Sequence, residues 1–264
     1  MTKICFIGNS HLGCIKRAWD QMRPEYPGTK IDFFIDRSAG TVPLSIGASA
    51  DDAEVFTDIL IEEGKKSLLV PADYKSTYIF SFEFSVIRLT SLYGGYRADE
   101  QAQVGKQQLI SEGMYLVSAT AALKATRAAE VARALVKQGA NNVCIVEQPR
   151  PNEYLTSTQE ETMVSFRSAL DDGESIDRMY RQASQAAAAS LGVRLLRQPE
   201  ATVAGPLLSK GQFGLSDIND QSEGSWYQRG DFIHMNPDFG RLVMAEILAP
   251  YAKAENRVAE SVKG

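Results

Sequence analysis

The sequence is poor in the residues from which many functional sites are built: in 264 residues it has three cysteines, Cys5, Cys14 and Cys144, and two histidines, His11 and His234. An odd cysteine count without a Cys-x-x-Cys pair argues against a disulfide framework, and Cys5 and Cys144 lie in apolar runs where a thiol behaves as a small buried hydrophobe. Two histidines and no cysteine pair do not supply a zinc site unless carboxylates fill most positions, so no metal is expected. A net charge of -5 with no basic cluster argues against a nucleic-acid partner, because phosphate binding needs a concentrated positive surface. No apolar run approaches the ~20 residues of a membrane-spanning helix, so no membrane partner is expected. The opening MTKICFIG enters a probable strand without the long apolar stretch or small-residue cleavage site of a secretory signal. The expectation is a cytoplasmic protein with free thiols, needing no cofactor.

What is present is an ordinary globular composition, 44% hydrophobic and 23% charged, without repeats or linker-like shifts, so residues 1–264 are expected to form one domain. Five short apolar runs rich in β-branched or aromatic residues read as buried strands: Ile4–Ile7, Ile31–Ile35, Tyr78–Phe82, Val143–Val146 and Val193–Leu196. Helical signals lie between and after them. They cover His11–Met22, Asp51–Glu63 (acidic first turn, Val55, Ile59 and Leu60 on one face), Met114–Gln138, Ser175–Leu191, and Asp238–Tyr251 running into Pro250. Alternating strand and helix implies a mainly parallel sheet with helices on both faces. The expected class is α/β: a flavodoxin-like, three-layer α/β/α fold with about five strands. Two long connections, Ser85 to about Glu112 and Gln198 to Gly230, interrupt the pattern and carry Tyr93, Tyr96, Trp226 and Tyr227.

In such a sheet, ligands sit beyond the carboxyl ends of the strands. Gly8-Asn9-Ser10 falls at the first of these ends and opens a helix, where backbone N–H groups can stabilise negative charge. On this stretch alone, the commoner use of Asn9 or Ser10 is to cap the helix. A serine becomes nucleophilic when a base takes its proton, and the base works best when a carboxylate fixes its tautomer. Asp231 and His234 offer that pair three residues apart, although an aspartate beside a structural histidine in a turn is a frequent accident.

The combination resembles the SGNH (GDSL-like) hydrolases. Gly8-Asn9-Ser10 is similar to that family's Gly-Asp-Ser block, Arg37-Ser38-Ala39-Gly40-Thr41 to its second block, and Asp231-Phe232-Ile233-His234 to its Asp-x-x-His block. The resemblance implies an SGNH-type fold, Ser10 as nucleophile, His234 as general base and Asp231 as its orienting carboxylate. It further implies an oxyanion hole from the N–H groups of Ser10 and Gly40, where a preorganised donor is worth about 3 kcal/mol of barrier. Two departures mark a divergent member. Asn9 replaces the aspartate, and the Gly-x-Asn-Asp block has no counterpart in TYIFSFEFSVI, Thr77 to Ile87. Ser81 and Ser85 could donate there, whereas an ionised Glu83 would repel an oxyanion; Asn142 and Asn152 flank the next strand with nothing to place them over the site.

Candidate substrate contacts are Asn9, His11, Glu83 and Ser85, with His11 expected to be solvated. The implied function is a serine esterase acting on a small acyl, such as acetyl, ester of a small molecule or carbohydrate. The alternatives are a non-catalytic interaction protein or an acyl-transferring protein on the same fold. A Rossmann-type nucleotide binder, reading Gly8-x-Ser10-x-x-Gly13 with Asp36 as ribose ligand, leaves Asp231 and His234 unexplained and places a serine where a pyrophosphate needs glycine.

Overall fold

The computed structural model describes residues 1–98, 107–157, 164–216, 219, 222, 224–225 and 229–261, with backbone alone at 157, 164–165 and 252–261. Five parallel strands form the central sheet: β1 (Thr2–Gly8), β2 (Thr29–Ile35), β3 (Ser76–Phe80), β4 (Val143–Val146) and β5 (Arg194–Leu196). They lie in the order β5-β4-β3-β1-β2, the 2-1-3-4-5 order of flavodoxin-type double winding. All five runs expected as strands therefore lie in one sheet, although the third, expected to reach Phe82, ends at Phe80. Helices on its two faces make it the three-layer α/β/α class.

Alternation along the strands decides which face each residue serves. On β1, Ile4 and Phe6 join a core with α1 (Leu12–Met22) and α7 (Pro237–Ser261), while Cys5 and Ile7 face the opposite layer. That opposite layer contains α2 (Ile87–Tyr93), α3 (Glu112–Lys124), α4 (Arg127–Lys137), α5 (Val164–Ser168) and α6 (Gly173–Ser190). Ile4, Phe6 and Ile7 are fully buried, each contributing about 1.5–3 kcal/mol of hydrophobic stabilisation. All three cysteines are buried and unpaired. Among the described residues no helix is long and apolar enough to cross a membrane.

Three expected helices differ from the structure. Residues 51–63 hold no helix: Glu54–Ile61 is a strand, antiparallel to Val42–Ile46, and with Leu68–Leu69 these make a small three-stranded sheet between β2 and β3. Pairing with Val42–Ile46 overrides the acidic first-turn signal, and the β-branched and aromatic residues of EVFTDILI suit a strand better. Phe56, Ile59 and Ile61 are buried, whereas Val55, assigned to the apolar face, is 53% exposed.

The alanine-rich stretch is two helices, α3 and α4, broken at Thr126. This fully buried residue caps α4 by accepting from the Ala129 N–H and donates its hydroxyl to the Leu123 carbonyl at 2.7 Å. Finally, α7 does not stop at Pro250 but carries it in its interior, at the cost of one hydrogen bond to the Glu246 carbonyl.

The contact between α1 and α7 matters most for the site, because each helix starts just after a candidate residue. Gly240 makes that approach possible. A Cβ at this position would lie 2.3 Å from the Cys14 carbonyl oxygen and 3.0 Å from the Ala18 Cβ. Without a side chain there, the first turn of α7 seats on α1 and brings residues 231–234 over the carboxyl end of β1.

Candidate active site

The turn after β1 resolves the competition between capping and chemistry. No side chain caps α1, and Asn9 closes the turn before it: its Oδ1 accepts the His11 N–H at 3.3 Å and its carbonyl accepts from Leu12 at 2.9 Å. Ser10 is exposed, and its hydroxyl lies 2.8 Å from Nε2 of His234, 224 residues further along the chain.

Asp231 organises the other partner. Its Oδ1 accepts the backbone N–H groups of Ile233 (3.3 Å) and His234 (3.1 Å), a tight turn that folds the imidazole back onto the carboxylate. His234 Nδ1 then lies 2.8 Å from Oδ2 and 3.0 Å from Oδ1. With the proton on Nδ1, facing the carboxylate, Nε2 is left to accept from Ser10. Burial alone would push the Asp231 carboxyl up. Hydrogen bonds from the His234 ring and the turn's N–H groups, with the charge of His234, more than offset it and hold the group below its ordinary value, ionised near neutral pH.

The loop is pinned on both sides. Asn152 donates its N–H to the Phe232 carbonyl, Leu215 donates to the His234 carbonyl, and Ser216 donates its hydroxyl to the Asp231 carbonyl. Asn236 caps α7 by accepting from Asp238 and Phe239.

Three sequence expectations change here. His11 is not solvated: its ring is 5% exposed and stacks on that of His234, with centroids 4.5 Å apart and 23° between planes. Ser85 is buried and accepts the Ile87 N–H at 3.1 Å, an early-turn cap for α2 rather than a substrate contact. Gly40 donates its N–H to the Arg37 carbonyl at 2.9 Å, so the expected oxyanion donor is already engaged. Its lack of a side chain serves packing instead, since a Cβ would fall 2.5 Å from the Leu60 carbonyl oxygen. Neither flanking asparagine replaces the missing donor. Asn142 lies at the amino end of β4 and donates to the Lys75 carbonyl, and Asn152 donates Nδ2 to the Gly211 carbonyl at 3.1 Å.

Where the third block would lie, the chain makes a turn that no sequence signal announced. Ser81, Phe82 and Glu83 all have positive φ, 71°, 45° and 69°, without a glycine among them. Ser81 is held there by donating to Oε1 of the buried Gln148 at 2.8 Å, and Phe84 closes the turn by donating to the Ser81 carbonyl. The N–H groups of Phe82 and Glu83 have no hydrogen-bond partner among the described residues. Left-handed backbone costs a side-chain-bearing residue about 1–2 kcal/mol. Glu83→Gly should therefore stabilise the protein by about 0.5–1 kcal/mol after allowing for glycine's greater unfolded-state entropy. The exposed Glu83–Arg88 ion pair that it removes counts for little. A higher urea midpoint at unchanged slope is the expected readout, and a lower midpoint would show that the turn is unstrained.

Beside Asn9 a pocket of about 290 Å³ opens, lined by Asp36, Asp58, Phe82, Glu83, Arg127 and Glu130 among others. Arg127 pairs with Asp58 and Glu130, and Arg88 with Glu83. Asp36 accepts the Leu60 N–H at 2.9 Å. Of the aromatics in the long connections, Tyr93 is buried and donates to Asp172, Tyr96 is 40% exposed, and Trp226 and Tyr227 lie outside the described residues. Among the described residues no group of three or more His, Cys, Asp or Glu is placed to hold a metal ion.

The fold and site together define a doubly wound α/β/α protein with a hydrogen-bonded Ser–His–Asp chain at the point where the connections leaving the sheet diverge, between β1 and β3. No family model matches the chain, and no curated protein matches it significantly. Among solved structures it is similar to the lipopolysaccharide acetyltransferase periplasmic domain of Salmonella ser. Paratyphi A, at 8% identity and a TM-score of 0.40. The match covers 95% of this chain and 83% of that one, and at this level it speaks neither for nor against an activity.

Proposed function

We propose that the protein is a serine esterase of the SGNH type that handles a small acyl group through an acyl-enzyme at Ser10. The observation that carries this reading is the continuous chain from the Ser10 hydroxyl to His234 Nε2 and from His234 Nδ1 to Asp231, each link 2.8 Å at its shortest. In the cycle, Ser10 Oγ attacks the ester carbonyl while its proton passes to His234 Nε2. The tetrahedral intermediate collapses to the acyl-enzyme as the leaving alkoxide takes that proton. Water then attacks with His234 again as base, releasing the acid and restoring the serine. An acceptor hydroxyl in place of water would make the second half an acyl transfer.

Developing negative charge would meet the Ser10 N–H, and the N–H groups of Phe82 and Glu83, without a partner among the described residues, are the proposed substitutes for the absent asparagine. The carboxylates of Asp36, Asp58, Glu83 and Glu130 outnumber the one lining cation, Arg127, and disfavour an anionic scaffold, so the alcohol portion is read as neutral and hydroxyl-bearing, such as a sugar. Asn9 and Glu83 are the proposed contacts to it.

A fluorophosphonate probe tests the nucleophile without knowledge of the substrate. The expected result is one adduct on the peptide containing Ser10, absent from Ser10→Ala. Folded protein that stays unlabelled, or a label on another residue, would overturn the reading. A panel of p-nitrophenyl esters of increasing chain length, followed by acetylated sugars, then defines the acyl group and scaffold.

A further inference from the structure

His11 is one of the two histidines in the chain, is almost completely buried, and has no part in the proton path from Ser10 to Asp231. The reading of Ser10 as nucleophile leaves it unexplained. Its Nδ1 is buried without a hydrogen-bond partner, an arrangement that costs about 1–3 kcal/mol and that a purely apolar ring would avoid. The ring lies over the face of His234 at a centroid distance of 4.5 Å. The edges of His234 are held by Ser10 and by Asp231, but hydrogen bonds in the plane of a ring restrain its tilt poorly. A stacked neighbour restrains that remaining motion, because tilting either ring opens the contact.

We propose, building on the function above, that His11 is a positioning residue for the base: its imidazole, stacked face-on against His234, fixes that ring between the Ser10 hydroxyl and the Asp231 carboxylate. His11 follows Ser10 directly, so the start of α1 fixes the nucleophile and the support for its base together. Charge supports the arrangement. Burial, reinforced by the nearby charge of His234, pushes His11 down from its ordinary 6.5 to about 3. The support thus stays neutral when His234 takes up a proton, and an aromatic face attracts a cation where a second imidazolium would repel it.

Two substitutions separate support from simple space filling. His11→Phe keeps a flat face, whereas His11→Leu fills the site with a branched chain that cannot stack. Both should stay folded, with Tm close to that of the wild type. His11→Phe should react with the fluorophosphonate within about threefold of the wild-type rate, and His11→Leu about tenfold to a hundredfold more slowly, the scale of a misaligned reacting group.

A second readout is independent of any esterase activity. With two histidines in the chain, imidazole NMR signals are readily assigned. The Nδ1 proton of His234, donated to Asp231, should remain visible in the wild type and His11→Phe and broaden by exchange in His11→Leu. A folded His11→Leu protein that matches the wild type in both measurements overturns the proposal, as does a folded His11→Phe protein that fails in both. Wild-type protein that shows the Nδ1 signal but takes no label refutes the nucleophile reading instead, and the NMR comparison still decides the role of His11.

Discussion

Ester turnover in Ser10→Ala is expected to fall by about 10³–10⁶-fold, while the fold is left intact. The two halves of this expectation come from the same geometry. The Ser10 side chain is exposed and makes one hydrogen bond, to His234, so removing it should change unfolding free energy by no more than about 0.5 kcal/mol. The turn into α1 is unaffected because the Asn9 side chain closes it. The chemistry, by contrast, loses its only proposed nucleophile. What survives is the electrostatic help of nearby N–H groups and His234 acting on water, which accounts for a residual rate above the uncatalysed one. Turnover that survived in Ser10→Ala with the wild-type pH profile would mean that another group attacks the acyl carbon.

Asp231→Asn is expected to lower kcat by about 10²–10⁴-fold without much change in KM. One amide oxygen can still accept from the backbone N–H groups of Ile233 and His234, so the turn is retained. The amide nitrogen, however, then faces Nδ1 of the imidazole and favours the tautomer with its proton on Nε2. That proton points at Ser10, and the ring can no longer accept from the hydroxyl. The neutral amide also fails to stabilise an imidazolium.

Stability should respond to pH in a related way. Because the Asp231 carboxyl is held below its ordinary value of about 4 in the folded protein, its ionised form contributes stability above that value. The contribution is lost as pH falls through the lower, folded-state value. Wild-type protein should therefore lose stability on acidification more steeply than Asp231→Asn. Equal acid limbs for the two proteins would show that the carboxylate is not held in this pair.

Much of the architecture was legible because each central strand is a short, continuous apolar run, the pattern expected of strands buried on both faces. Helix ends read from Pro24 and Gly192 were close as well, in α1 and α6. The region between β2 and β3 was misread because its evidence is tertiary. Glu54–Ile61 carries acidic residues where a helix would want them, and pairing with Val42–Ile46 decides against the helix.

The site divides along similar lines. That Ser10, Asp231 and His234 meet was legible because the reading that joined them depends on residue type and order along the chain. The surroundings of Gly40, Ser85 and His11 were not, since each turns on a contact with a residue distant in sequence or on how local hydrogen bonds close. The left-handed turn at Ser81–Glu83 had no signal, because the glycine or asparagine that usually marks such backbone is missing.

The seating of α7 on α1 through Gly240 also sets a temporal order on the molecule. During synthesis Ser10 leaves the ribosome early and His234, the base proposed for it, 224 residues later. A nascent or truncated chain that stops before Asp231 has the serine and its pocket walls but no means of taking the proton. Reactivity of Ser10 is then a signature of a chain whose two distant segments have met, and a probe that labels it counts correctly closed molecules.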